Sequence, residues 1–463
     1  MKKYRSAYFI GIGGIGMSAI ARFFKHEGMK VWGYDKTPTH LTDALISEGI
    51  PVHFDDEPVL LPAEIRALNN IEEILVIYTP AVPRTNKELN YFRKNGFVVK
   101  KRSEVLGEIT QNRYTIAVAG THGKTTTSSM IAHLLKQSDR DCTAFLGGIT
   151  KNYHSNLLLP SGNSFENKYE TPVVVEADEY DRSFLTLHPD VAIITSMDAD
   201  HLDVYGDQLT LQNNYRKFAS NIKSGGILFS KQGLGFDDCT TYSVDSDSDI
   251  YATEIRLHNL EYSFAVSGKM GEIRDLSIKM PGLHNIENAV AAVAVGKYLG
   301  IHDDQIRSAM KTYTGVERRF DIQFHNSSTT FIDDYAHHPE EIKACLNSVR
   351  LLFKGKKVLG IFQPHLYTRT RDFAEEFSES LSLLDDLILL DIYPARELPI
   401  EGISSQMLLE KVRCSTKCLL TNEQTLEEIR RRNIEVLVTI GAGDIDRLVE
   451  PIKNILNEKY RNQ

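Results

Sequence analysis

Residues 116–126 read Ile-Ala-Val-Ala-Gly-Thr-His-Gly-Lys-Thr-Thr, and a chain that carries them has few ways to fold. An apolar run stops at Gly120, turns through Gly123-Lys124-Thr125, and resumes with Ile131, Leu134 and Leu135 on one helical face. Strand, tight turn and helix in that order call for a parallel sheet with helical crossovers. The same turn is a polyphosphate cradle. Glycines let backbone N–H groups converge, the following helix aims its positive end at the anion, and Lys124 adds a full charge. Thr125 then offers a hydroxyl to Mg²⁺. The general phosphate-loop pattern has a glycine where this chain has Val118, so the loop is a shortened form. Gly120, Thr121, His122, Gly123, Lys124, Thr125 and Thr126 are read as a nucleoside-triphosphate site.

A second strand–loop–helix opens the chain. Ser6–Ile12 reads as a buried strand, Gly11-Ile12-Gly13-Gly14-Ile15-Gly16 as the turn, and Met17, Ile20, Ala21 and Phe24 recur at helical spacing. Asp35, at the end of the next apolar run, stands where a ribose-binding acid belongs in a dinucleotide fingerprint. The loop's physics does not choose its cargo. A nicotinamide dinucleotide, a UDP-linked sugar and a purely structural turn all fit it. No constellation for hydride transfer follows in the chain, which favours the UDP-linked ligand.

With 463 residues the chain exceeds what one core holds, and about three domains are expected. Further apolar runs at 30–34, 74–78 and 97–99 continue the first α/β unit, and the sequence turns polar at 108–113. The second unit adds runs at 173–175 and 191–195, each with polar residues just past its end, where open α/β sheets keep their ligands. Residues 225–280 alternate in shorter runs and suggest an antiparallel patch at a sheet edge; 284–298 returns to helix. Beyond Phe320 a third α/β unit has strands expected at 330–332, 357–362, 386–392 and 435–440. The boundaries expected are 1–111, 112–319 and 320–463. Net charge of −9 argues against a nucleic-acid binder working by phosphate neutralisation. Five scattered cysteines without a CxxC pair suit reduced thiols, and no apolar run reaches transmembrane length, so a soluble cytoplasmic protein without membrane partners is expected.

Val175-Glu176-Ala177-Asp178-Glu179 is a burst of acid after an apolar strand, whose repulsion a cation relieves. Thr125 with Glu176 makes a Mg²⁺ (or Mn²⁺) site, and His201, between Asp200 and Asp203, either ligates a second ion or is a solvent-facing helix-start histidine capped by its neighbours, with Asp200 as the N-cap.

GTHGKTT, EADEYD, DADHLD, HNIENAVAA, RRFD, DDYAHHPEEI and FQPHLYTRTRDF, in this order, resemble the bacterial Mur ligases, as does GIGGIGMSAIA at the start. These motifs span about residues 11–445. The resemblance implies three domains: a Rossmann-like N-terminal domain for the UDP moiety, a central phosphate-loop ATPase domain with a mostly parallel sheet, and a C-terminal Rossmann-like α/β domain that closes over the site. Within the family the pattern is nearest the branch that adds L-alanine to the lactyl carboxylate of UDP-N-acetylmuramate through an acyl phosphate, with ATP as co-substrate, in peptidoglycan precursor synthesis. It implies a monomer or weak homodimer. By the same resemblance Gly13, Gly14, Ile15, Gly16, Met17 and Ser18 cradle the uridine diphosphate, with Asp35 near the nucleoside. Lys124 holds the β- and γ-phosphates, Thr125 and Glu176 bind one metal ion, and His201 a second. Asn285 and Asn288 face the adenine, and Arg319 and Asp334 reach phosphate and ribose. Tyr335, His337, His365 and Arg369 line the amino-acid and acyl-phosphate end, with His337 or His365 taking the amine proton because imidazole titrates near neutral pH.

The chain departs from the family at Leu366, often arginine, which leaves that anion contact missing or supplied by Arg369 or Arg371. Lys217 receives no role as a modified lysine, and the Gly441-Ala442-Gly443-Asp444 turn has no derivable one. The nearest rival is the recycling ligase that attaches a tripeptide to the same sugar nucleotide; it typically lacks the Gln363–Arg369 motif. A nicotinamide-dependent oxidoreductase leaves Lys124 unexplained, and a nucleotide-sensing protein without chemistry releases no phosphate.

Overall fold

The computed structural model describes residues 4–161, 171–198, 205–258, 260–395 and 397–460. The chain forms two compact units, one of residues 1–256, 263–278 and 286–314, the other of 257–262, 279–285 and 315–463. Three sheets carry the architecture, and each is built from the short Ile/Val/Leu runs of the sequence.

The first sheet has the order β3-β2-β1-β4-β5. Its strands are β1 (Ser6–Ile10), β2 (Lys30–Tyr34), β3 (Val52–His53), β4 (Ile74–Tyr78) and β5 (Val98–Lys101), all parallel. Period-two alternation explains why it needs cover on both faces. Ala7, Phe9, Leu75 and Ile77 enter one core with the helix Ile15–His26, while Tyr8, Ile10, Ile74 and Val76 enter another with Leu89 and Phe92. The strand order reverses between β1 and β4, and the glycine loop leaves β1 at that crevice.

The second sheet has ten strands in the order β15-β14-β13-β12-β11-β10-β6-β9-β7-β8. These are β6 (Thr115–Ala119), β7 (Thr143–Thr150), β8 (Ser155–Leu158), β9 (Val173–Glu176), β10 (Val191–Ile194), β11 (Ile227–Lys231), β12 (Thr240–Ser243), β13 (Ile250–His258), β14 (Glu261–Gly268) and β15 (Ile273–Ile278). β10, β6, β9 and β7 run parallel, and β7 pairs antiparallel with β8. The region expected as an antiparallel patch starts otherwise: β11, β12 and β13 extend the sheet in parallel. Each of these pairings gives only two to four residues to the ladder.

The third sheet, order β16-β17-β21-β18-β19-β20, lies in the second unit. It comprises β16 (Asp321–His325), β17 (Thr330–Asp334), β18 (Val358–Phe362), β19 (Asp386–Leu389), β20 (Thr416–Leu419) and β21 (Val436–Ile440). Only the β16–β17 pair is antiparallel. Alternate residues again divide between two cores: Val358, Phe362, Val436 and Val438 on one face, Leu359, Ile361 and Leu437 on the other. The ends of β17, β21 and β18 therefore stand side by side.

Among the described residues no helix is long and apolar enough to cross a membrane.

Candidate active site

The phosphate loop joins β6 to the helix Lys124–Lys136 and is fixed by the end of β10. Thr195 Oγ1 donates toward the His122 carbonyl, the His122 N–H donates to Ser196 Oγ (2.8 Å), and the Asp198 N–H donates to Thr121 Oγ1 (2.8 Å). Gly120 holds φ +136°, and a Cβ there would collide with the Thr195 hydroxyl. Only glycine serves at that position.

Lys124 is turned inward. Its ammonium donates to the Gly120 carbonyl (2.5 Å) and to Glu179 Oε1 (2.8 Å), with Glu179 Oε2 in ion-pair contact at 2.7 Å. Glu179 is buried, and burial pushes its carboxyl upward against the pull of the ammonium. Burial disfavours the ammonium too, but Glu179, Glu176 and Asp178 together hold Lys124 protonated. Glu179 was not singled out from the sequence. Three acids within four residues look alike there, and only the turn after β9 decides which one faces the lysine.

Glu176 ends β9, which lies beside β6 with Val118 opposite it. One of its oxygens accepts the Gly147 N–H (3.1 Å). Thr125 is buried in the first turn of the loop's helix. Among the described residues no group of three or more His, Cys, Asp or Glu side chains forms a metal cage. Thr125 and Glu176 supply oxygen only, which fits a Mg²⁺ or Mn²⁺ ion that keeps waters and takes its other ligands from phosphate. His201, with Asp200 and Asp203, lies outside the described residues. Asn288 joins the loop from the helix Leu283–Tyr298, its Oδ1 accepting from Thr127 Oγ1 (3.1 Å). Asn285, one turn earlier, donates to the Pro281 carbonyl (2.6 Å).

In the N-terminal glycine loop, Asp35 Oδ2 accepts the Gly13 N–H (2.7 Å) and so fixes the loop. Gly14 is the cap of the helix Ile15–His26; the Met17 N–H already donates to its carbonyl (3.0 Å), and the N–H groups of Ile15 and Gly16 precede the helix's own hydrogen-bond ladder. Met17 and Ser18 are buried, and Ser18 Oγ donates to the Ile15 carbonyl (2.9 Å).

In the second unit the residues expected at the amino-acid end come from adjoining strand ends. Asp334 closes β17, with one oxygen accepting the Phe320 N–H (2.7 Å) and the other the Ala336 N–H (2.8 Å). Burial raises its carboxyl to about 6 against Arg319 and those two N–H groups. Arg318 and Arg319 both stand over the Tyr335 ring, 5.2 and 5.3 Å from its centroid. Arg318 is no solvated surface charge: it pairs with buried Asp333 (3.2 Å) and donates to the Gly441 carbonyl (2.6 Å). That bond gives the Gly441–Asp444 turn its place, and Gln363 adds another by donating to Asp444 (2.7 Å).

His337 Nδ1 lies 3.0 Å from the Tyr335 carbonyl and 3.3 Å from Glu341 Oε2, both acceptors, so the neutral ring carries its proton on Nδ1 and offers the Nε2 lone pair. The His365 ring is 6.0 Å from that of His337 and stacks on Tyr393 at 5.7 Å. Neither titrates near neutral pH, contrary to expectation. Burial lowers His337 to about 4, with Glu341 opposing and Arg369 assisting. Burial, His337 and Arg369 lower His365 to about 3. Arg369 is thus the arginine that acts on this pair, whereas Arg371 is an exposed partner of Asp372 (2.7 Å). Leu366 adopts φ +72°, a conformation that costs a branched side chain about 1–3 kcal/mol and that marks a constrained site. Glu341, four residues past His337 on a helix opened by Pro339, is a second residue the sequence reading missed.

These sites can be set beside known proteins. Residues 6–114 match the Mur ligase family catalytic domain, 118–296 the Mur ligase middle domain and 318–445 the Mur ligase glutamate ligase domain. A relative from Parabacteroides distasonis, UDP-N-acetylmuramate–L-alanine ligase, is 48% identical over 468 residues, covering 100% of this chain and 99% of its own. This chain belongs to the Mur ligase family. Among solved Mur ligases, the UDP-N-acetylmuramate–alanine ligase of Thermotoga maritima superimposes with a TM-score of 0.80 at 27% identity, covering 99% of this chain and 100% of that one. The murein peptide ligase of Psychrobacter arcticus shares the Mur ligase fold with a TM-score of 0.69 at 21% identity, covering 97% and 99%.

Two results are expected from the site's electrostatics. Glu179→Gln removes the carboxylate paired with Lys124; if that lysine takes phosphate, nucleotide binding, read by calorimetric titration with ADP, should tighten about three- to tenfold. Weaker binding would mean that Glu179 assists the nucleotide. The second concerns pH. Histidines at 337 and 365 are protonated below about 6.5 when unfolded but not when folded, so they destabilise the second unit as pH falls toward 4. Asp334, raised to about 6, holds its proton in the folded state and opposes them by one proton. Asp333, also raised by burial, opposes them in the same sense, so the net is a loss of stability as pH falls from 6 to 4.5 of at most ~1.4 kcal/mol per pH unit. In denaturant melts of His337→Gln/His365→Asn, that loss should reverse sign.

Proposed function

We propose that this chain joins L-alanine to the lactyl carboxylate of UDP-N-acetylmuramate at the expense of ATP, through an acyl phosphate, in peptidoglycan precursor synthesis. What carries the proposal is the full-length 48% identity to a relative bearing that activity in its name. The phosphate loop, the acid at the end of β9 and the paired histidines give the reaction its parts.

A carboxylate and an ammonium do not condense in water until the carboxylate is activated. Residues 112–319 are assigned to ATP. Lys124 leaves Glu179 for the β- and γ-phosphates, and Gly120, Thr121, His122, Gly123 and Thr126 are assigned to the nucleotide as the loop around it, its shape held by the bonds of the Thr121 and His122 N–H groups to Ser196. Asn285 and Asn288 are assigned to the adenine. Thr125 and Glu176 hold the Mg²⁺ or Mn²⁺ ion, which when bound neutralises phosphate charge; His201 is assigned to a second. Residues 1–111 are assigned to the UDP moiety through Gly13–Ser18, with Asp35 fixing the loop. Residues 320–463, with Arg319 at their edge, are assigned to alanine and the acyl phosphate. Arg319 and Arg369 supply positive charge, Asp334 is placed to reach the ribose, and Tyr335 orients the arginines.

The γ-phosphoryl group passes from ATP to the carboxylate and leaves ADP; the neutral amine of L-alanine then attacks the acyl carbon, its nitrogen becomes acidic so that a weak base suffices, and the tetrahedral intermediate collapses with loss of inorganic phosphate. His337 Nε2, with Nδ1 held by the Tyr335 carbonyl, takes that proton, and His365 keeps the pocket dry beside it. The deciding assay is phosphate release with ATP, Mg²⁺ and UDP-N-acetylmuramate, with L-alanine, glycine, L-serine or the recycling tripeptide supplied in turn. Release should require L-alanine above the others; alanine-independent release or preference for the tripeptide would overturn the proposal.

A further inference from the structure

The residue that links the two proposed nucleotide sites is one no motif singled out. Arg102 begins the helix Arg102–Thr110, immediately after β5. Its guanidinium lies against the first turn of the glycine-loop helix: a Cβ on Gly16 would be 2.7 Å from its Nη1 and 3.3 Å from its Cζ. A side chain at position 16 would have to displace the Arg102 guanidinium. On the other side, Nη2 donates to Asp178 Oδ2 at 2.9 Å, and the arginine side chain is only 17% exposed. A cavity of about 10 Å³ has Arg102, Glu176 and Asp178 together in its lining.

Of the five N–H donors of the guanidinium, Asp178 takes one, and Nη1 has no hydrogen-bond partner among the described residues. A planar fork with open donors, held rigid beside first-turn N–H groups, matches the geometry of a diphosphate. Lys101 reinforces the arrangement through Asp181 (3.0 Å), in a turn where Asp181 and Arg182 both hold positive φ. We propose that Arg102 is a positioning residue that binds the diphosphate of the sugar nucleotide with its open donors while anchored to Asp178, and so sets the distance between the sugar's carboxylate and the phosphate loop. This rests on the function proposed above, to which it adds a residue and a coupling.

The test compares Arg102→Ala, Arg102→Lys and Asp178→Asn with the unaltered enzyme. Titration with UDP alone reads the diphosphate contact without turnover. Arg102→Ala should weaken UDP binding and raise KM for UDP-N-acetylmuramate about tenfold to a hundredfold, with KM for ATP changed less than about threefold. Arg102→Lys should recover only part of the loss, because an ammonium lacks the fork. Asp178→Asn should raise the same KM by a smaller factor, since it frees the guanidinium without removing it. Unchanged UDP affinity in Arg102→Ala, or KM values for both nucleotides rising together in all three variants, would overturn the assignment. If Arg102→Ala does not fold, the lysine variant and Asp178→Asn give the same comparison. Unaltered enzyme that binds UDP but fails to use L-alanine would refute the proposed reaction and leave the Arg102 binding test standing.

Discussion

Lys124→Ala should lower turnover at least ~10²-fold, the scale for losing one donor to transferring charge. The magnitude follows from where the ammonium sits. It is half-buried at the mouth of the loop, bonded to the Gly120 carbonyl and to Glu179, and the first-turn helix N–H groups supply only partial charge beside it. Alanine leaves Glu179 without its counter-charge, and burial then favours the protonated acid, so the fold survives while the site loses its one full positive charge on the loop. Steady-state phosphate release, with a melting curve as a control for folding, checks this. Turnover near the unaltered rate would remove Lys124 from the phosphate site.

Arg318→Ala is the variant expected to cost most stability. Asp333 is 1% exposed, and its carboxyl is raised by burial and held down chiefly by Arg318, with help from the Thr439 hydroxyl (2.7 Å). Removing one partner of such a pair strands the other, at roughly 3–5 kcal/mol. The same substitution frees the Gly441 carbonyl and one of two cations on Tyr335, so alanine use should suffer as well. Denaturant melts of the second unit's transition measure the first effect. Adding Asp333→Asn should restore a large part of the loss, because the pair and not the arginine alone is at stake. An unchanged midpoint in the single variant would refute the account.

Much of this was legible in the chain because parallel strands buried on both faces have little compositional freedom. Tyr8–Ile10, Leu75–Ile77 and Leu437–Ile440 read as strands for the same reason that they pack as strands. β7 escaped notice because Gly147-Gly148 breaks its apolar run, and β20 because Thr416-Lys417-Cys418-Leu419 is an edge strand with little to bury. Residues 225–280 were misread at their start because short polar-rich strands carry no signal of direction; β11 to β13 take theirs from the ladder they join. At the proposed site, the glycines, Lys124 and the histidines were assigned from their type and spacing. Glu179, Glu341 and Arg102 were not, since an acid or a basic residue in a charged run gains meaning only from the side chain that the fold brings against it. The acidity of His337 and His365 was hidden for a like reason, as burial is a property of the assembled pocket.

The pins on the phosphate loop have a consequence for how the protein is made. Thr195, Ser196 and Asp198 are more than seventy residues downstream of the loop they hold, and Asn288 is 161 beyond its partner Thr127. A chain emerging from the ribosome therefore carries the glycine-lysine sequence long before it carries a nucleotide site. Loop closure across such separations comes late, after β10 has docked against β6. Nucleotide thus cannot template the early collapse of the central sheet; it meets a cradle only once most of the first unit has been synthesised.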